Sequence, residues 1–328
     1  MVLRQTGCAG ERGRQSHAYT SPFDIAAKRW RQPDFEYDDG IVPEVPVTAK
    51  EGFHIFDLAP PFVPPSQIAL PAHDPFGWPH GDRYTPLLKA RTPLTSTRAI
   101  IPGFKLDRLH QALSMSEFRV MVKLALHPAV WDFREQYGIY NRQAYWRADA
   151  KGERMRRSDL MTIDVIVTYV QPPDYKLKYH AISVKHGSYL PTDEQLRREE
   201  RERAAMAERG WTWELIRGDA ISMTEFGNLR LILNFAREQN LPSLYFAAQE
   251  FAPVVIRSSN RGSLDAVMQR VSRTMCIGLD EAYHRFAASV AYGFLQLDHN
   301  YELDTDLRLH LVRSGRHTRA AVKGGVAT

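Results

Sequence analysis

Two apolar runs separated by a short polar turn constrain this chain more than anything else in it. Residues 161–170 (MTIDVIVTYV) are rich in β-branched side chains and read as a strand, and so do residues 179–185 (YHAISVK). Between them QPPDYKLK holds a Pro-Pro pair and no room for a crossover helix. Adjacent strands joined this way pair as an antiparallel hairpin. The flanking segments extend the pattern. Residues 114–126 (SMSEFRVMVKLAL) predict a helix stopped by Pro128, and 130–140 (VWDFREQYGIY) predict a strand. Residues 192–209 predict a charged helix, with Thr192 and Gln195 as a capping box and Gly210 as its stop. Residues 211–216 (WTWELI) predict a last strand. The order helix, strand, strand, strand, helix, strand describes an α/β core, a mixed sheet flanked by helices.

The rest of the chain divides around this core. Thirteen of the 20 prolines precede residue 95, and proline breaks helices and extends its predecessor. The same region carries Trp30, Phe53, Phe56, Phe62, Phe76 and Trp78, which mobile tails lack. It therefore reads as a Pro-rich N-terminal arm over 1–83, partly packed on the body, with its first 20 or so residues mobile. The core occupies 84–221. A mostly helical part over 222–312 follows, with helices at 224–239, 263–274 and 280–292. Two strands are expected within 294–312, around an Asp-His-Asn turn. Helices followed by a hairpin make this part winged-helix-like. A tail over 313–328 ends the chain.

Composition removes several classes. With 44% hydrophobic and 25% charged residues, the chain is neither a disordered polyelectrolyte nor a fibre. It has no apolar run long enough to span a bilayer and no apolar signal-peptide core, so no membrane partner is expected. Cys8 and Cys276 form no paired motif, which points to a reducing, cytoplasmic setting. A phosphate-binding GxxxxGK[ST] loop, a GxSxG elbow and an HExxH pair are all absent from the sequence. Lys and Arg total 43 against 38 Asp and Glu, a net charge of +5. Arg308, Arg313, Arg316, Arg319 and Lys323 supply that excess, because no acidic residue follows Asp306. These five can each add a salt-sensitive phosphate contact. The neutral body is a poor scanner of DNA by itself.

Candidate chemistry collects at one end of the sheet. Asp164 interrupts an otherwise apolar strand, where an unpaired carboxylate is costly. Alternation puts Ser183 and Lys185 on one face of the next strand. A hairpin closing at Pro172-Pro173 brings Asp164 and Lys185 to the same sheet end, and Glu117 in the preceding helix can add a second carboxylate. Two acids and a lysine suit phosphodiester hydrolysis with Mg2+, which prefers oxygen ligands, and Mn2+ can replace it. The Val184 carbonyl is a further oxygen donor. Other readings stand beside this one. Ser114 and Glu117 also form a capping box. Asp164 and Lys185 also read as a cross-strand ion pair. Glu135 and Gln136 also read as polar residues of a strand edge. The run RREERER (197–203) reads as a solvated helix face.

Those segments resemble a known family. Residues 114–137 (SMSEFRVMVKLALHPAVWDFREQY), 162–167 (TIDVIV), 181–185 (AISVK) and the helix and strand ending in GWTWELI are together similar to the endonuclease domain of TnsA. TnsA is a heteromeric-transposase subunit with a restriction-endonuclease-like fold. The resemblance covers 84–221 and implies a nuclease of the PD-(D/E)XK superfamily. It implies Glu117 as the helix glutamate, Asp164 as the metal-binding aspartate and Lys185 as the catalytic lysine. The family has Gln, and its superfamily usually Glu, where this chain has Ser183. That departure leaves Glu117, Asp164 and the Val184 carbonyl as the implied metal set. Glu135 and Gln136 also match the family pattern, as supporting residues.

After residue 219 the likeness is fainter, over Gly293-Phe294 and 300–312. It implies nicking of DNA at the 5′ ends of a transposon. The implied partners are a TnsB-like DDE transposase acting on the 3′ ends and a TnsC-like AAA+ regulator. The setting is then the bacterial nucleoid. Two alternatives share these residues: a stand-alone restriction or repair nuclease, and a non-catalytic adaptor binding DNA or the AAA+ regulator.

Overall fold

The computed structural model describes residues 53–87, 99–106, 108–140, 142–153, 159–259 and 261–312. Two compact units divide these residues. One holds 138–161 and the other 53–137 together with 162–312. In the first, α2 (Arg142–Lys151) lies between the end of one strand and the start of the next.

The second unit opens with the arm. Proline keeps residues 53–87 free of α-helix, and their regular structure consists of short turns at Ile55–Asp57, Pro65–Gln67 and Gly81–Arg83 and an isolated bridge between His73 and Pro79. A hairpin of β1 (Ala99–Pro102) and β2 (Leu109–Ala112) leads into α1 (Met115–Leu126). The main sheet has the order β3 (Val130–Tyr140), β4 (Leu160–Val170), β5 (Leu177–Lys185), β6 (Thr212–Arg217). The expected hairpin is present: β4 and β5 are antiparallel, with Val165 across from Ile182 and Val170 across from Leu177. After α3 (Asp193–Ala207) the chain returns as β6, parallel to β5, with Lys185 across from Arg217. Thr192 and Gln195 form the capping box that starts α3.

The C-terminal part of this unit is helical, with α4 (Met223–Phe235), α5 (Tyr245–Ser258), α6 (Leu264–Met275) and α7 (Leu279–Ala291). Helix α5 has no forecast in the sequence pattern because Pro253 lies inside it. The two strands expected over 294–312 are reduced to isolated bridges, Leu297 with Leu311 and Ser263 with Arg308. Here the turn around Asp298 ties the chain back on itself without a ladder.

One apolar core joins α1 (Val120, Met121, Leu124), the sheet (Val165, Val167, Ile182, Val184, Ile216) and α4–α7 (Ile232, Phe251, Val267, Phe286). Each such side chain removed from water contributes about 1.5–3 kcal/mol. The arm is fastened to this body by polar contacts as well. Asp74 accepts from Arg134 Nη1 at 2.7 Å and from the Tyr137 hydroxyl at 2.6 Å. The Tyr84 hydroxyl donates to the Glu135 carbonyl at 3.0 Å. At the other end of the arm, His54 contacts the Glu214 carboxylate, and the Ile55 amide donates to it at 3.1 Å. The expected mobility of the first 20 or so residues falls outside the described residues.

Candidate functional site

Residues from separate elements meet at the sheet end where β4 begins and β5 and β6 finish. The N-terminus of α1 comes to that end because Gly218, just after β6, has no side chain. A Cβ there would lie 2.3 Å from Ser116 Oγ. Arg119 Nη1 also donates to the Gly218 carbonyl, at 3.4 Å.

Asp164 Oδ2 accepts the Val184 amide at 2.8 Å, so the aspartate is pinned by the neighbouring strand. Continuing the register one step beyond Val165 and Ile182 places Asp164 across from Ser183. Burial raises the Asp164 pKa. The Val184 hydrogen bond and the Lys185 charge pull it down, and Glu202 pushes it further up. Lys185 is thus near enough to act on Asp164, but no ion pair joins them. Its ammonium lies 5.6 Å from the centre of the Tyr189 ring instead. The cross-strand ion-pair reading therefore does not hold in this geometry.

Glu117 serves two ends at once. Ser114 caps α1 by accepting the Glu117 amide at 3.2 Å. The Glu117 carboxylate accepts the Leu113 amide at 3.0 Å and the Ser114 hydroxyl at 3.1 Å. The cap therefore fixes the carboxylate as well as the helix. Burial, then the neighbouring Asp164 charge, push Glu117 up to about 7. Two carboxylates that resist ionising beside each other form a place where a cation is favoured.

Of the strand pair Glu135 and Gln136, one residue reaches this place. Gln136 Nε2 lies 3.4 Å from Glu117 Oε2. Its backbone takes a left-handed φ of 49° within β3. Such a conformation costs a non-glycine residue about 1–3 kcal/mol and tends to persist at functional sites. Glu135 is committed elsewhere. Arg108 donates to both its oxygens, at 3.1 and 2.6 Å, and the Gln111 amide donates at 3.0 Å. Burial raises the Glu135 pKa, but hydrogen bonds from His110 and the Arg108 charge outweigh it and hold the group near 2. Glu135 is thus a buried structural anchor, which corrects its place among the residues supporting the site.

Residue Glu202 of α3 has no counterpart among the sequence candidates. The run RREERER reads as solvated, and Arg203 with Glu200 behaves so. Glu202 departs from that reading, being 1% exposed and hydrogen-bonded by the Ser183 hydroxyl. The signal available was its spacing: Glu202 sits one helical turn before the buried Met206, on the inward stripe.

Arg308 bridges to Ser263, away from any tail-like arrangement. Arg313, Arg316, Arg319 and Lys323 lie outside the described residues. The donor set at the sheet end (Glu117, Asp164 and the Val184 carbonyl) is all oxygen, which suits a hard divalent cation such as Mg2+. Among the described residues no three His, Cys, Asp or Glu side chains are grouped to hold a metal ion by themselves. Two carboxylates fit an ion that also takes water and substrate phosphate as ligands. No helix among the described residues is long and apolar enough to cross a membrane.

No curated protein matches the chain. Residues 127–218 match the family described as TnsA-like endonuclease N terminal, a span that holds Asp164, Ser183, Val184 and Lys185 and leaves Glu117 and the rest of α1 outside it. The segment 127–218 thus carries a TnsA-like endonuclease domain on a restriction-endonuclease-like mixed sheet.

Proposed function

We propose that this protein is a metal-dependent DNA endonuclease that nicks the 5′ ends of a transposon within a heteromeric transposase. The observation that carries the reading is the nearness of Glu117 and Asp164 at one sheet end, with Lys185 close to Asp164, and with Asp164 and Lys185 inside the TnsA-like segment. In this reading Glu117 and Asp164, with the Val184 carbonyl, hold Mg2+ or Mn2+. A bound ion of this kind lowers the pKa of water and offsets charge on a phosphate.

The chain's own residues do the rest. The Val184 amide fixes Asp164, and the capped start of α1 together with Gln136 fixes Glu117. Lys185, held at the end of β5, steadies the attacking water and the charge that develops on the phosphate oxygens. DNA reaches the site through partners in this reading, a TnsB-like DDE transposase and a TnsC-like AAA+ regulator. A nicking assay on DNA carrying transposon ends, with and without those partners, tests it. Wild-type protein nicks at the 5′ ends in Mg2+ and the Asp164→Ala variant does not. Equal nicking by both would overturn the assignment. Nicking without partners would point to a stand-alone nuclease.

A further inference from the structure

Glu202 is a carboxylate that the cap, the core and the surface of α3 do not account for. It is 1% exposed, and burying a charge is unfavourable unless partners compensate. Arg198 Nε donates to its Oε1 at 2.9 Å, but the Arg198 side chain is half exposed. That pair supplies one compensating charge from within α3. The remaining partner is the Ser183 hydroxyl, which donates to the other oxygen. Ser183 is itself 1% exposed, lies across from Asp164, and precedes the residue whose amide pins Asp164. Glu202 is also close enough for its charge to act on Asp164. A buried acid on a helix therefore has one of its two hydrogen-bonded partners at the sheet end where Glu117 and Asp164 meet.

We infer that Glu202 is a positioning residue of this cleavage site, acting through Ser183 to hold the β5 end and to add negative charge behind Asp164. The inference rests on the metal-dependent reading above. Glu202 stands behind the hydroxyl instead of joining a direct ligand set, since no group of three acids able to hold an ion occurs among the described residues. Residues that hydrogen-bond to a metal site from behind tune its affinity, and their loss costs about 10–100-fold.

Calorimetric titration of the full chain with MnCl2, without DNA, tests this. Glu202→Gln keeps the shape and can keep both hydrogen bonds while removing the charge. It is expected to weaken Mn2+ binding about 10–100-fold with thermal stability preserved. Ser183→Ala is expected to weaken binding in the same direction, and it carries the test if the first variant does not fold. The double variant is expected to be no weaker than the worse single one, because both remove one connected effect. Wild-type affinity in Glu202→Gln, or additive losses in the double variant, would overturn the inference while leaving the metal site standing. No Mn2+ binding by the wild type would overturn the metal-dependent reading, and this inference with it.

Discussion

The Val184 amide donates to Asp164 Oδ2 at 2.8 Å, so one strand of the hairpin orients the acid carried by the other. Asparagine at 164 keeps an acceptor for that amide and removes the charge. Asp164→Asn is therefore expected to lower strand cleavage by about 10²–10³-fold or more, comparable with loss of a preorganised electrostatic contact. Its unfolding temperature is expected not to fall at neutral pH, because the fold disfavours the ionised aspartate. A variant that melts well below wild type would show that Asp164 is needed for the fold before it is needed for chemistry.

Glu117 makes the metal-free protein sensitive to pH. Burial and the Asp164 charge raise its pKa to about 7. A raised carboxylate leaves stability intact below its unfolded value and removes it as pH climbs through the folded value. Metal-free wild type should accordingly lose on the order of 2–3 kcal/mol relative to Glu117→Gln between about pH 4.5 and pH 7.5. Denaturant melts of both proteins in chelator across that window measure the difference. Parallel curves would place Glu117 in a less confined setting than the one described.

Glu135 predicts the opposite pH limb. The hydrogen bond from His110 and the charge of Arg108 hold it near 2, so its contribution is present at neutral pH and fades only as pH falls towards that value. Truncation to alanine leaves Arg108 buried without its carboxylate, a loss of about 3–5 kcal/mol. Glu135→Ala should appear as a large drop in thermal stability, with residual cleavage per folded molecule close to wild type. A cleavage defect in fully folded Glu135→Ala would return this residue to the catalytic neighbourhood.

Gly218 sets where α1 begins. Its missing Cβ would meet Ser116 Oγ at 2.3 Å and Ser116 Cα at 2.9 Å. Gly218→Ala should cost about 1–3 kcal/mol of stability and reduce cleavage, because Glu117 moves with its helix. Adding Ser116→Gly opens space on the other side and should restore part of both. Stability and activity measured on the single and double variants decide whether the contact acts through α1.

Much of the sheet was legible in the sequence, since the 161–170 and 179–185 runs are apolar and β-branched and the Pro172-Pro173 turn lies between them. Val130–Tyr140 and Leu264–Met275 announced themselves by aromatic and β-branched content and by a serine cap. Helix α5 did not, because Pro253 breaks the expected pattern while the fold tolerates it inside the helix. Within the site, Asp164 stood out as a charge among apolar neighbours, and Glu117 was visible through its cap. Glu202 was hidden because one buried acid in a run of charges differs from its neighbours only in the direction it faces. Gln136 was visible, but its turned backbone depends on tertiary contacts that no local pattern encodes.

The arm ends up touching both outer strands of the main sheet. The Gly81 amide donates to Asp132 at 3.2 Å and the Leu87 amide to the Gln136 carbonyl at 3.3 Å, both on β3, while Ile55 reaches Glu214 on β6. An outer strand with spare amides and carbonyls can recruit a stranger's strand and seed aggregation. Here the shield is made early and its last partner late: Ile55 and Glu214 are 159 residues apart in sequence. During synthesis the arm must wait for nearly the whole sheet to emerge before it can close over both borders. A shortened chain starting after the arm would lose its contacts with both outer strands, and lower solubility is the consequence to expect first.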